Sequence, residues 1–296
     1  MDLAAEHRGP VNALAAVGPY VVSGSEDGSL MVWDLGSQGP VSTLLGHDGG
    51  VTAVAALPDG GRVLSGSRDG TVREWDLVGA RQVRVLDSSV GPVTALAIGS
   101  TGRTVMVGAS SGRLVALDLL GGERRQAIGP MGGAVQSIAL TPDARYGVIA
   151  ALEDYVRVWD LSTGEVADLA HGSDSWVKAV AVTPDGRGIV SAALDGTLKL
   201  WHLQAGRILR QLQGHLDTAI RALAVGRDGR RLVSGGDDEM VKVWSLTDVD
   251  GEAGPEAELP VASAVHALAL TEHGQVVAGD VCGALHLWDL EHGSVS

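Results

Sequence analysis

Histidine, serine and aspartate recur together along this chain in an order that invites a catalytic reading. His47, Ser65 and Asp69 precede Trp75; His7, Ser23 and Asp27 precede Trp33; His215, Ser234 and Asp238 precede Trp244. A fourth set holds Ser191, Asp195 and Trp201, with His171 as a displaced histidine in a longer loop. A triad for acyl transfer needs one nucleophile, one base and one oxyanion site. Three or four copies distributed along one chain fit a repeated structural device better. Buried polar groups have to be paired, and each such bond contributes roughly 1 kcal/mol net. No catalytic residue is therefore assigned, and the chain is expected not to be an enzyme. The nine histidines include no pair at metal-ligand spacing. The single cysteine, Cys282, cannot build a multi-cysteine zinc site or an intramolecular disulfide, and reads as a small core or turn residue. The glycine-rich stretch at 65–70 (SGSRDG) lacks the lysine and following helix of a phosphate loop. No metal and no cofactor is expected.

The elements that must hold these residues repeat with them. Trp33, Trp75, Trp159, Trp201, Trp244 and Trp288 fall on one lattice, with Leu117 in the third place, and the steps are 42, 42, 42, 42, 43 and 44 residues. That makes seven repeats. In the second, 51–57, 62–67, 71–77 and 80–86 read as short strands, split by the Pro58-Asp59-Gly60 and Asp69-Gly70 turns. The first strands are unusually small, as in ALAAV at 13–17, AVAAL at 53–57 and AVAVT at 179–183. A radial arrangement of seven sheets explains this. The innermost strand has least room and takes alanine, while the third strand lies further out, where tryptophan fills the gap between sheets.

The GH, SGS-x-DG and WD elements at a step near 42 resemble those of WD-repeat β-propellers, over essentially all 296 residues. The resemblance implies an all-β, seven-bladed β-propeller of four-stranded antiparallel blades, one domain covering 1–296 without linkers. It also implies ring closure by an N-terminal strand near residues 2–6 joining the last blade, which would cover an open sheet edge. The Ser, His, Asp and Trp sets become tetrads tying each blade's leading loop to its tryptophan. Three repeats depart from this. The third has Ser89, Val107, Ser111 and Leu117 at the tetrad positions; the fourth has Met131, Ile149 and Glu153 beside Trp159; the seventh has Val261, Ala278 and Cys282 beside Trp288. Replacing several partners together by apolar groups is nearly neutral, whereas removing one is not. The third and fourth blades are expected to be the less rigid sector. The position before the PDG-type turn, commonly Phe in the family, holds Leu57, Thr141, Thr183 or Gly226, and the chain has no phenylalanine at all.

Charge bounds the partners. A net charge of −14 repels phosphate, so nucleic acid is not expected. Asp248, Asp250, Glu252, Glu256 and Glu258 concentrate part of that charge in the longest excursion, about 247–258, read as a solvated loop. No stretch approaches the ~18–20 apolar residues of a membrane span, and the first ten residues carry no signal-like apolar run. Cytoplasmic location and a monomeric domain are expected. Three lysines against 19 arginines, with abundant Ala, Val and Gly, look bacterial in style. By analogy, such domains accompany kinase or switch domains in larger signalling proteins.

The resemblance also implies where binding sits: three positions per blade on one face, two flanking the residue that opens the first strand and one just before the tetrad aspartate. These are Pro10, Asn12 and Glu26; Gly50, Thr52 and Arg68; Pro92, Thr94 and Ser110; Ala134, Gln136 and Leu152; Trp176, Lys178 and Leu194; Ala219, Arg221 and Asp237; Ala264, His266 and Val281. Trp176, the one tryptophan off the lattice, is a candidate anchor for a protein or peptide, with Lys178, Arg221, Leu152 and Leu194 nearby by register. Packing over blade five is its competing role. The alternative to a non-catalytic interaction scaffold or sensor is a propeller using its central channel for a small molecule or enzymatic activity. Glu26, Arg68, Asp237 and Arg221 would then converge at the channel mouth, and His266 is open to either role.

Overall fold

Short Val-, Thr- and Ala-rich runs broken by PDG-type turns give strands and nothing else among the described residues. The computed structural model describes residues 7–36, 39–86, 90–121, 124–172, 175–215, 217–247 and 254–290. The second repeat shows the local logic. Its strands are Val51–Ala56, Arg62–Ser67, Val72–Asp76 and Arg81–Leu86, paired antiparallel in that order. The first turn closes because Gly60 takes φ +72° and Asp59 Oδ1 accepts the amides of Gly61 and Arg62 at 3.0 and 3.1 Å. Six such four-stranded sheets are present, and the seventh shows three strands among the described residues. The strand expected near residues 2–6 lies outside them, as do Ser89 and residues 248–253 of the acidic excursion. The far end of that excursion is not a solvated loop but enters the outer strand Ala257–Pro260 of blade six, with Glu258 opposite Lys242.

The seven first strands form the inner wall of a ring. They are Val11–Val17, Val51–Ala56, Val93–Ile98, Val135–Leu140, Val177–Val182, Ile220–Val225 and Val265–Leu270. Each contributes a small residue to a central cavity, such as Ala13, Ala53, Ala179 or Ala267. The tryptophans fill the gaps further out, each packing on the blade before it: Trp75 with Val22 and Val32, Trp201 with Val148 and Val156, Trp288 with Val233 and Val243. Leu117 does the same work in blade three, packed with Val72 and Leu86.

The first tryptophan shows how the ring closes. Trp33 packs with Val277 and Leu285 of the seventh blade, and the amide of His7 donates to the Gly283 carbonyl at 3.1 Å. Gly279 makes this joint possible, since a Cβ there would lie 2.4 Å from a Val11 methyl carbon. At the family's Phe position the threonines serve the turn instead. Thr141 Oγ1 donates to Asp143 Oδ1 at 2.5 Å and accepts the Tyr146 amide at 3.0 Å.

Candidate binding face

The repeated His, Ser and Asp sets are closed networks. In the second blade the Trp75 indole donates to Ser65 Oγ at 2.7 Å, and Ser65 lies 2.7 Å from His47 Nε2. His47 Nδ1 lies 2.8 Å from Asp69 Oδ2. Burial pushes the imidazole pKa down despite the adjacent carboxylate, so the ring stays neutral. An ionised Asp69 only accepts, so the ring proton sits on Nδ1 and Nε2 accepts from Ser65. The sixth blade repeats this with His215, Ser234, Asp238 and Trp244, at 2.8, 2.8 and 2.9 Å. In the first, His7 reaches Ser23 at 2.7 Å and Trp33 donates to Ser23 at 2.7 Å, while Asp27 stands 3.4 Å from His7. The serine hydroxyls are fully buried and saturated by two neighbours each. No substrate reaches them.

Other members of these networks escape the sequence pattern. Ser29, Thr71 and Thr197, two residues after each tetrad aspartate, bond to that carboxylate at 2.6, 2.7 and 2.7 Å. In the fifth blade Ser191 accepts the Trp201 indole at 2.8 Å. The displaced His171 reaches the tetrad region, its ring centroid 6.1 Å from Trp201, as His47 stands from Trp75. Lys199 donates to the His171 carbonyl. The seventh blade, which the sequence reads as apolar, builds a substitute. His286 stacks on Trp288 and meets Asp280 Oδ2 at 2.9 Å, while Asp280 Oδ1 accepts the amides of Cys282 and Ala284. Burial alone would raise the Asp280 pKa; the bonds from His286 and the Ala284 amide outweigh it and hold the carboxyl below its ordinary value. The fourth blade places the Arg157 guanidinium against Met131 Sδ at 3.0 Å and pairs it with Asp168.

The face positions are tied together by one backbone bond repeated seven times. The residue ahead of each inner strand accepts, through its carbonyl, the amide of the residue before the tetrad position. The pairs are Pro10 with Glu26, Gly50 with Arg68, Pro92 with Ser110, Ala134 with Leu152, Trp176 with Leu194, Ala219 with Asp237 and Ala264 with Val281, at 3.0–3.2 Å. Register is therefore equivalent in all blades, the third, fourth and seventh included.

Each inner strand also breaks its ladder at one residue, always the same one. Asn12, Thr52, Thr94, Gln136, Lys178, Arg221 and His266 are bulged out of the pairing. A bulge re-aims its side chain and ends regular pairing, and such features concentrate beside functional sites. All seven line one cavity of about 790 Å³ at the end of the channel.

The ring is polar and its charge is uneven. Asn12 donates to Glu26 at 2.9 Å and to the Val51 carbonyl at 3.1 Å, and Arg68 pairs with Glu26 at 3.1 Å. Thr52 donates to the Val93 carbonyl at 2.7 Å. Arg221 grips Asp237 with two bonds of 2.9 and 2.6 Å. That guanidinium holds the Asp237 carboxyl below its ordinary range. Burial, then the charge of Arg221, push the pKa of His266 down. Arg68, Lys178, Arg221 and His266 are in the cavity wall; Trp176, Leu152 and Leu194 are outside it. Trp176 is 52% exposed, and Leu152 and Leu194 are half-buried.

A family model for the WD domain, G-beta repeat, matches residues 3–34, 38–76, 165–202 and 206–245, about half of the chain. The chain belongs to the WD-repeat family, as a seven-bladed propeller. The matched segments end in blades one, two, five and six, in each of which the tryptophan indole donates to a serine hydroxyl; the divergent third, fourth and seventh tryptophan positions lie outside them. No curated protein matches the sequence.

Proposed function

We propose that this domain is a non-catalytic recognition module that seats a protein or peptide on the bulged face of the ring. The observation that carries this reading is the set of seven bulges. Each bulge takes one polar side chain out of the ladder and into the wall of a common mouth, where Asn12 and Thr52 also tie neighbouring blades while the side chains of Lys178, Arg221 and His266 bond no backbone among the described residues. Half-exposed Trp176 beside this face supplies the kind of aromatic anchor that dominates interface energetics. The arginine-rich, lysine-poor composition supports a bacterial source; a cytoplasmic setting, a monomeric propeller and a place within a larger signalling protein are part of the proposal, the last by analogy with other WD-repeat domains. A small ligand in the channel is a second reading, favoured by a cavity volume within the range of small-molecule sites.

Trp176→Ala separates the two. Partner capture by the immobilised domain should weaken by about 2 kcal/mol, roughly 30-fold, as at an interface hot spot. Thermal stability should stay within about 0.5 kcal/mol, as for other surface changes. Loss of several kcal/mol of stability would assign Trp176 to packing. Unchanged capture would shift the reading to the channel, whose wall Trp176 does not join.

A further inference from the structure

One side chain of the mouth carries a charge that the described residues do not balance. Lys178, the bulged residue of Val177–Val182, donates its ammonium to Gln136 Oε1 of the neighbouring blade, a neutral amide. It makes no ion pair among the described residues. The nearest candidate counterion, Asp237, already spends both oxygens on Arg221. Burial, and next the positive charge of Arg221, push the Lys178 pKa below its ordinary value, as expected for an ammonium drawn from water without a carboxylate.

The neighbours deepen this imbalance. The fifth, sixth and seventh bulges present Lys178, Arg221 and His266 in succession along one cavity wall. Asp237 stands against them with both oxygens on Arg221, and Asp280, which also acts on His266, is itself held by His286, so Lys178 is the cation of this sector with no carboxylate bonded to it among the described residues. Elsewhere the mouth is self-satisfied: Glu26 pairs with Arg68, and Thr94 donates to the Gly108 carbonyl. The chain around this basic sector carries a net charge of −14. Repulsion from distant acids is screened beyond about 8 Å at physiological ionic strength, so contact at the mouth is governed by the local charge.

We propose that the mouth recognises an acidic peptide, one carboxylate of which lies on the Lys178 ammonium between Gln136 and Arg221. This rests on the peptide-binding reading of the same face. One ammonium with no carboxylate bonded to it suits a singly charged carboxylate better than a doubly charged phosphate. Bringing that carboxylate in completes an ion pair that the free domain leaves open.

The probe is a fluorescent, N-acetylated and C-amidated hexaglutamate peptide, titrated into the full chain beside its hexaglutamine counterpart. The acidic peptide should bind and the neutral one at least tenfold more weakly. Lys178→Met should lose at least tenfold in affinity for hexaglutamate, while Lys178→Arg retains most of it. Arg187→Gln, which removes one positive charge from a turn at the opposite ends of the strands, should change little. Lys178→Met should melt no lower than wild type, because it removes a half-buried charge that no carboxylate bonds, and that measurement checks its fold. Equal binding of the two peptides, or wild-type affinity in Lys178→Met, would overturn the proposal. So would inorganic phosphate displacing hexaglutamate more effectively than acetate does. Failure of hexaglutamate alongside intact, Trp176-dependent capture sinks the acidic assignment alone. Loss of Trp176 dependence sinks the reading beneath it.

Discussion

A buried imidazole that has to stay neutral makes its blade sensitive to acid. His7, His47 and His215 are held below the ordinary histidine pKa by burial, their aspartates opposing the shift only in part. His171 goes furthest, to about 4, through burial and then the charge of Lys199. In the unfolded chain these groups titrate near 6.5. Below that value the unfolded state binds more protons than the folded one, so stability present above 6.5 is lost as pH falls towards the folded values. The His171 shift corresponds to on the order of 3 kcal/mol. Melting temperature at constant ionic strength should fall between pH 7 and 4.5, and His171→Gln should flatten part of that fall. A flat profile would show that the imidazoles are not protected. At this scale the sequence was half legible. His47, Ser65, Asp69 and Trp75 could be read from spacing, because the same types recur in phase. His286 and Asp280 could not, because neither occupies a position that carries its residue type in other blades. Their pairing comes from three-dimensional neighbourhood on adjacent strands.

Strand limits in the second repeat were legible to within a residue, because PDG and DG punctuation fixes both ends of each hairpin. Departures from that punctuation therefore locate strain. The fourth blade has Pro142-Asp143-Ala144 where other blades place glycine, and Ala144 takes φ +54°. A left-handed conformation costs a residue with a Cβ about 1–2 kcal/mol, of which glycine recovers part after its own entropy cost. Ala144→Gly should stabilise the domain by about 1 kcal/mol in chemical denaturation, and Gly60→Ala, at φ +72°, should destabilise it comparably. No change in either variant would mean that the turn relaxes at little cost. The bulges were beyond the reach of sequence. The nearly continuous apolar runs VNALAAV and VTAVAA look like unbroken strands, and only pairing shows that Asn12 and Thr52 stand outside the ladder.

Seven repeats in phase specify a ring, and Trp33 on Val277 and Leu285 shows first and last blades meeting. The blades are not equally tied within it. Blades one, two and six bind their leading loop to a strand through histidine and serine. Blade three places buried Val107 and Leu117 at those positions, keeping apolar contact without the cross-links. Amide exchange should therefore be faster across 93–160 than across 20–77 under native conditions, in keeping with local opening of the less bonded sector. Better protection of 93–160 would mean that apolar packing alone holds a blade as firmly. The candidate site is legible only at this scale. Glu26 and Arg68, or Lys178 and Gln136, lie some 42 residues apart and belong to neighbouring blades. Charge balance at the mouth is a property of the ring that no single repeat contains.

The bulges have a consequence for how such a molecule can change. A residue outside the ladder contributes little to the pairing that defines its blade. Asn12, Thr52 and Thr94 tie their side chains to backbone carbonyls, but those of Lys178, Arg221 and His266 bond no backbone among the described residues and can thus vary almost independently of folding, while the adjoining valines and alanines stay fixed by packing. The scaffold works like a lock with a few free pins in one rigid cylinder. Its specificity can be recut one pin at a time, by inheritance or by engineering, with the barrel untouched.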